Sequence, residues 1–439
     1  MKLYEVFFWG ACFFLAGVFI ASVVYKFSQA YLAAAMMILI VAAIFLVFRR
    51  YSLAAFSVFM ILGEVYYFAH DFYQQKTSVV FGQQIEIVGI ISKAETRLNS
   101  QVLVIDDIQV AAPRYPVWEY GDRVAIEGII KKPQAEFENY YAKEGIAGLM
   151  SFPKIQLVSK GQGSRIKAPL FKIKSHFENS YKKVLPFEQA AFMSGLTLGS
   201  TAEFSDEFKE EMRLTGTTHL VALSGYNISI IIRYLGGAFA LWWVTKKFKL
   251  PLSVLAVIGF VVMTGAEPSV VRAAIMAMIL LLADKAGRVA YIPNVIAATA
   301  LAMVLINPKI LVFDVGFQLS FMALIGIIYL EPWLRKRFKA KDEPGFLGWR
   351  SHFWTTTSAQ LAVLPIIVYQ FGFVSPVSIP ANVFLLEFIP ITMGLGFFIG
   401  FAAIVSYWLS WLIALPAYIF LTYELSVIEI FAKIVNILI

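Results

Sequence analysis

The chain has 439 residues, of which 59% are hydrophobic and 15% charged, with a formal net charge of +8 and a mean hydropathy of +0.72. Soluble globular chains are about half apolar and about a quarter charged, so this composition excludes a soluble protein and points to the membrane class. A single cysteine, Cys12, excludes a disulfide framework and a cysteine-based zinc site, and His70, His176, His219 and His352 lack metal-ligand spacing, so no metal or other cofactor is expected.

Crossing ~30 Å of hydrocarbon takes ~20 helical residues. Apolar runs of that order open the chain at Phe7–Val24, Tyr31–Phe48 and Tyr51–Ala69. They predict a three-helix membrane anchor over residues 1–69, with the first run retained because no A-x-A cleavage site follows it.

Charges become dense after His70. Ile85, Ile87 and Gly89 alternate with Glu86 and Val88; Val102 and Val104, Val124 and Ile126, and Ile155 and Leu157 repeat the period of two. Four or five short strands punctuated by Gly82, Asn99, Pro113, Gly121, Pro133 and Gly145 suit a small OB-like β-barrel over residues 70–165, with another small β-domain as the alternative on pattern alone.

Between Lys154 and Lys183 the charge is one-sided: Lys154, Lys160, Arg165, Lys167, Lys172, Lys174, Lys182 and Lys183 stand against Glu178. Leu170, Ile173, Phe177, Tyr181 and Val184 share one helical face, which predicts a basic amphipathic helix within a connector over residues 166–213. Such a helix either lies on anionic lipid headgroups or steers a polyanion toward the membrane.

From residue 214 to 439 the chain is apolar again, broken at Lys246–Lys249, Gly265–Pro268, Asp284–Arg288, Asn307–Lys309, Arg335–Arg350 and Gly372–Pro376. The expected architecture is a polytopic α-helical membrane protein of about eleven spans, some broken or re-entrant, carrying the inserted barrel. Positive loops stay cytoplasmic. Lys2, Arg49, Arg50, Lys246, Lys247, Lys249, Lys285, Arg288, Arg335, Lys336, Arg337, Lys339, Lys341 and Arg350 alternate with short loops holding only Lys26 and Lys309, so the N-terminus is predicted inside and residues 70–213 outside. The outer part is neutral, with 18 basic against 18 acidic residues, so the excess charge records topology.

Polar residues at membrane depth are functional candidates because they are costly unless they face a cavity or a partner. The densest group runs from His219 to Ser229 and includes Ser224, Gly225 and Asn227. A helix turns about 100° per residue, which puts His219 and Ser224 about 140° apart, a poor arrangement for a nucleophile and its base. Ser224 and Asn227 do share a face, either for helix packing or for lining a translocation path. Arg233, Glu267 and Arg272 are further intramembrane charges, Glu267 and Arg272 being readable as an interhelical pair. Asp314 and Gln318 lie four apart on one face, and Gln360, Pro365, Pro380, Asn382 and Glu387 sit in short, proline-interrupted segments. No G-x-x-x-x-G-K-[ST] phosphate loop is present, so no ATP engine is expected in the chain.

The run T-G-T-T-H-L-V-A-L-S-G at Thr215–Gly225, D-V-G-F-Q-L-S-F ending at Phe321, A-Q-L-A-V-L-P at Ala359–Pro365 and the P-A-N around Asn382, in this order, resemble the competence domain of ComEC-type DNA-uptake proteins. The resemblance covers nearly the whole chain, including the three N-terminal spans and the outer β-domain. It implies a channel or permease without catalytic activity that passes single-stranded DNA across the bacterial cytoplasmic membrane, with DNA, membrane lipids and other uptake components as partners. Members often carry His at the position of Asn227. Many also continue into a metallo-β-lactamase-like domain, whose His/Asp cluster is absent up to Ile439, so strand degradation is expected from a separate nuclease. Under this resemblance Arg233 and Arg272 are the expected phosphate contacts. The alternatives are a small-solute or ion transporter and an intramembrane serine hydrolase built on His219 and Ser224.

Overall fold

A computed structural model describes residues 2–26, 51–74, 81–134, 138–223, 225–241, 245–339 and 349–438. The span expected at Tyr31–Phe48, the loop arginines Arg49 and Arg50, Lys341 and Ser224 lie outside the described residues.

Helices α1 (Leu3–Lys26) and α2 (Tyr51–Gln74) come first. Strands β1 (Gln84–Thr96), β2 (Ser100–Ile105), β3 (Ile108–Pro113) and β4 (Arg123–Lys131) follow, then α3 (Glu138–Lys143), β5 (Gly148–Ser151) and β6 (Lys154–Ser159). The helices α4 (Lys167–Val184), α5 (Phe187–Leu198) and α6 (Asp206–Thr215) lead into α7 (Gly225–Leu241), α8 (Lys246–Met263), α9 (Pro268–Lys285), α10 (Ile292–Ile306) and α11 (Ile310–Phe313). One continuous helix is then built from α12 (Val315–Ile325), a π turn over Gly326–Leu330, and α13 (Glu331–Arg337). The last four are α14 (Trp349–Phe371), α15 (Ser378–Leu386), α16 (Ile389–Val405) and α17 (Tyr407–Leu438).

The chain divides into two units. The first joins Met1–Gln83, Ile130–Leu149 and Ile275–Gln318; the second joins Gln84–Ile129, Met150–Ala274 and Leu319–Ile439. In the first unit, Gly17 and Gly63 leave no room for a Cβ, so the backbones of α1 and α2 meet directly. Helix α1 is tied to α10 where Asn294 Nδ2 donates to the Tyr4 carbonyl at 3.0 Å, and α2 where Tyr66 donates to the Leu305 carbonyl at 2.6 Å. Two ion pairs, Lys309–Asp71 and Lys143–Asp314, each 2.9 Å long, are buried in this unit.

The strands close in the order β1-β2-β3-β5-β4, with β1 pairing β4 to shut a five-stranded ring and β6 adding to β4. This closed barrel is consistent with the OB-like domain expected from the alternation. One strand serves two neighbours: Gln84–Ile90 pairs with β4, and Ile91–Thr96 with β2, across a register irregularity between Ile91 and Lys93 that bends it. Ile91, Leu103, Ile105, Val110, Val124 and Ile126 fill the interior.

Among the described residues three helices are long and apolar enough to cross a membrane: Leu3–Val23, Val315–Arg337 and Tyr407–Ile437. A fourth arises if Ser378–Leu386 and Ile389–Val405, bent by 49°, count as one broken span. The remaining described apolar segments form helices bounded near the expected breaks, but several are short. Helix α10 has 15 residues, rising only about 22 Å at ~1.5 Å per residue against a ~30 Å core.

The basic helix α4 forms as the sequence predicts, but its apolar face meets protein. Phe177 and Tyr181 are buried, Gly400 of α16 leaves its missing Cβ to the Phe177 ring, and α5, α8 and α16 cover the rest. Lys154, Lys160, Arg165, Lys167, Lys172, Lys182 and Lys183 are exposed and Lys174 is half-buried; Lys182 pairs with Glu203 at 2.7 Å.

Candidate functional site

The segment from Thr215 to Gly225 breaks the helical run. Helix α6 ends on Gly216, whose φ of +68° is left-handed. Thr215 Oγ1 donates to the Glu211 carbonyl at 2.8 Å, and the Thr215 and Thr217 hydroxyls lie 2.8 Å apart, both fully buried. A 3-10 turn over Thr218–Leu220 follows, in which His219 is exposed and its Nδ1 donates to the Gly216 carbonyl at 3.1 Å. Residues 216–223 therefore lie between two helices without continuing α6, the arrangement by which a broken helix exposes backbone groups.

A side chain at Gly216 would strike Ser378: an added Cβ would lie 2.6 Å from its Oγ and 2.8 Å from its Cβ. Ser378 Oγ donates to Gln360 Oε1 at 2.9 Å, and Asn382 Nδ2 donates to the Ser378 carbonyl at 2.8 Å. The fold thus brings His219, Gln360 and Asn382, drawn from three separate sequence motifs, around one glycine. Asn382 Oδ1 and Ser375 Oγ are buried here with no hydrogen-bond partner among the described residues. Buried polar atoms are ordinarily partnered, so this cluster holds unused hydrogen-bonding capacity.

Helix α7 starts at Gly225, where a Cβ would meet Ala273 of α9 at 3.7 Å. Asn227 is buried, and its Nδ2 donates to the Leu196 carbonyl of α5 at 3.1 Å. Next to Ala273, Arg272 is 7% exposed, with its guanidinium 5.8 Å from the centroid of the Phe321 ring. Among the described residues it has no carboxylate partner, so the pairing with Glu267 suggested by the sequence does not form; Glu267 is exposed and its carbonyl caps the start of α9. Arg233 is exposed on α7.

Asp314 and Gln318 belong to the other unit, where both hold a helix break together. Asp314 Oδ1 accepts from the Phe317 amide at 2.8 Å, its Oδ2 pairs with Lys143, and Gln318 Nε2 donates to the Leu311 and Val312 carbonyls at 3.1 and 3.0 Å. Burial disfavours the Lys143 ammonium, but the hydrogen bond and charge of Asp314, with Glu144, outweigh it and raise the lysine above its ordinary value.

Residues 196–438, more than half of the chain, match the family described as Competence protein. The chain belongs to this competence protein family. ComE operon protein 3 of Bacillus subtilis (strain 168) is 26% identical over 253 residues, which are 58% of this chain and 31% of that protein. The matched region thus spans about a third of that relative. No solved structure matches.

The competence region also contains a polar pair that pattern reading overlooked. Glu424, inside the span Tyr407–Ile437, is fully buried; its Oε1 accepts from Thr392 Oγ1 at 2.7 Å, and its Oε2 has no hydrogen-bond partner among the described residues. An acidic residue in an apolar run was a signal available in the sequence. Its partner, 32 residues away on α16, was not. Glu387, visible in the sequence, meets the half-buried His352 at 2.9 Å, a partner the sequence did not indicate.

Proposed function

We propose that this competence protein passes single-stranded DNA inward across the bacterial cytoplasmic membrane and itself catalyses no reaction. The observation that carries the reading is Arg272, a buried guanidinium against an aromatic face with no carboxylate beside it among the described residues. A cation held in that way is available to a phosphate, while the Phe321 ring offers a sequence-tolerant stacking face. Membership of the competence family and the open hydrogen-bonding capacity around Gly216 and Asn382 support the same reading. His219, Gly225, Asn227, Arg233 and Gln360 would line or frame that path, and the exposed lysines of α4 would draw the polyanion toward it.

The accompanying topology is about eleven apolar segments, some of them re-entrant rather than spanning, with the N-terminus in the cytoplasm and residues 70–213 outside. The test is reconstitution of the full chain in vesicles with a labelled oligonucleotide outside, scored as nuclease-protected DNA inside. Arg272→Ala should abolish protection while the protein remains in the membrane, and Arg272→Lys should keep part of it. Full protection with Arg272→Ala would refute the assignment, and solute flux without DNA dependence would replace it with a transporter.

A further inference from the structure

The strongest unassigned feature of the second unit is a pocket of about 200 Å³ between α4 and the junction of α16 and α17. At ~30 Å³ per water it has room for roughly seven, the scale of a phosphate ester rather than of a drug-sized ligand. His176, Asn179 and Lys183 line it from one side, and Tyr407 and Ser410 from the other. Among the described residues no aspartate or glutamate lines it.

The donors in this lining are only partly used. His176 Nε2 donates to the Gly400 carbonyl at 3.3 Å and Ser410 Oγ to the Ile399 carbonyl at 3.2 Å, which hold the wall in place. The side chains of Asn179, Lys183 and Tyr407 have no hydrogen-bond partner among the described residues. The pocket therefore offers an ammonium, an amide and a phenol to an anion and no carboxylate to a cation. Its position narrows the source of that anion. Tyr407, Trp408 and Trp411 are 48%, 73% and 41% exposed at the first turns of a full span, which sets this end at headgroup level. Phe401 and Val405, 59% and 79% exposed, continue the surface with apolar faces suited to acyl chains.

We propose that this pocket binds the headgroup phosphate of an anionic phospholipid, fixing α4 to the end of α16. The inference is independent of DNA passage. The test is lipid retention by the purified full chain, read by native mass spectrometry after equilibration with phosphatidylglycerol or phosphatidylcholine. Phosphatidylglycerol should be retained preferentially. Lys183→Gln with Asn179→Leu should weaken that retention roughly tenfold or more, the value of a lost charge-assisted hydrogen bond. Lys172→Gln, on the same helix but outside the pocket, should leave it unchanged. Equal retention of the two lipids, retention unaffected by the double substitution, or displacement of the lipid by inorganic phosphate or by a single-stranded oligonucleotide would each overturn the proposal.

Discussion

Substituting Lys143 should destabilise the protein more than substituting its partner, even though Asp314 is the residue that stands in a family motif. The pair is 2.9 Å long with side chains 9% and 6% exposed, so the discount for surface ion pairs does not apply. Lys143→Met leaves the Asp314 carboxylate buried without a counter-charge, which costs about 3–5 kcal/mol. Asp314→Asn keeps the cap on Phe317, because Asn and Asp are near equals in that role. It also leaves Lys143 its 3.1 Å contact with Glu144, so the loss should be nearer 1.5–3 kcal/mol, about one hydrogen bond to a charged group. The double substitution removes both charges and should recover about 1–3 kcal/mol through coupling. Thermal unfolding of the detergent-solubilised chain, under conditions where it is reversible, gives the rank order. Additive losses, or a Lys143→Met protein within about 0.5 kcal/mol of the parent, as for an ordinary surface site, would refute the argument.

The same pair makes a pH prediction. A lysine raised by its partner contributes stability that is whole below about pH 10.4 and is lost as pH rises through the higher folded value. The parent should therefore lose more Tm above that pH than the double variant, measured in parallel scans. Gly216→Ala should lower Tm by forcing a side chain into a left-handed position, costing about 1–2 kcal/mol before the overlap with Ser378; adding Ser378→Ala should restore only part of it, since the Cβ overlap remains. Thr392→Val should cost about 1–3 kcal/mol by stripping Glu424 of its donor. Glu424→Leu in that background should relieve the loss, and urea titrations of the three proteins check it.

Much of this fold is legible in the sequence where the signal is local. The alternation at Ile85–Gly89, Val102–Val104, Val124–Ile126 and Ile155–Leu157 falls on β1, β2, β4 and β6. Strand β5 escaped because it has only four residues, β3 escaped although it is as long as β2 and alternates in the same way, and the closed ring depends on pairings no local pattern encodes. The helix breaks at Gly265–Pro268 and Gly372–Pro376 are legible because glycine and proline terminate helices for backbone reasons. An amphipathic face is legible in α4, but not what covers it: Phe177 meets Gly400, more than two hundred residues later. The site divides in the same way. Gln360 and Asn382 are visible as polar residues among apolar ones, whereas Ser378, which joins them, looks ordinary in sequence. Asp314 and Gln318 share a face as expected, yet that face closes a helix break.

The first unit has a temporal consequence. Its three segments are scattered along the chain, and Tyr66 reaches its acceptor at Leu305 across 239 residues. At the ~5–20 residues per second of synthesis, that separation is about 12–48 s. During this interval α1 and α2 are already made while the lysine that neutralises Asp71 has yet to leave the ribosome. The nascent chain must hold that acid without its lysine, and Tyr66 without its acceptor, at the membrane until the later segment arrives.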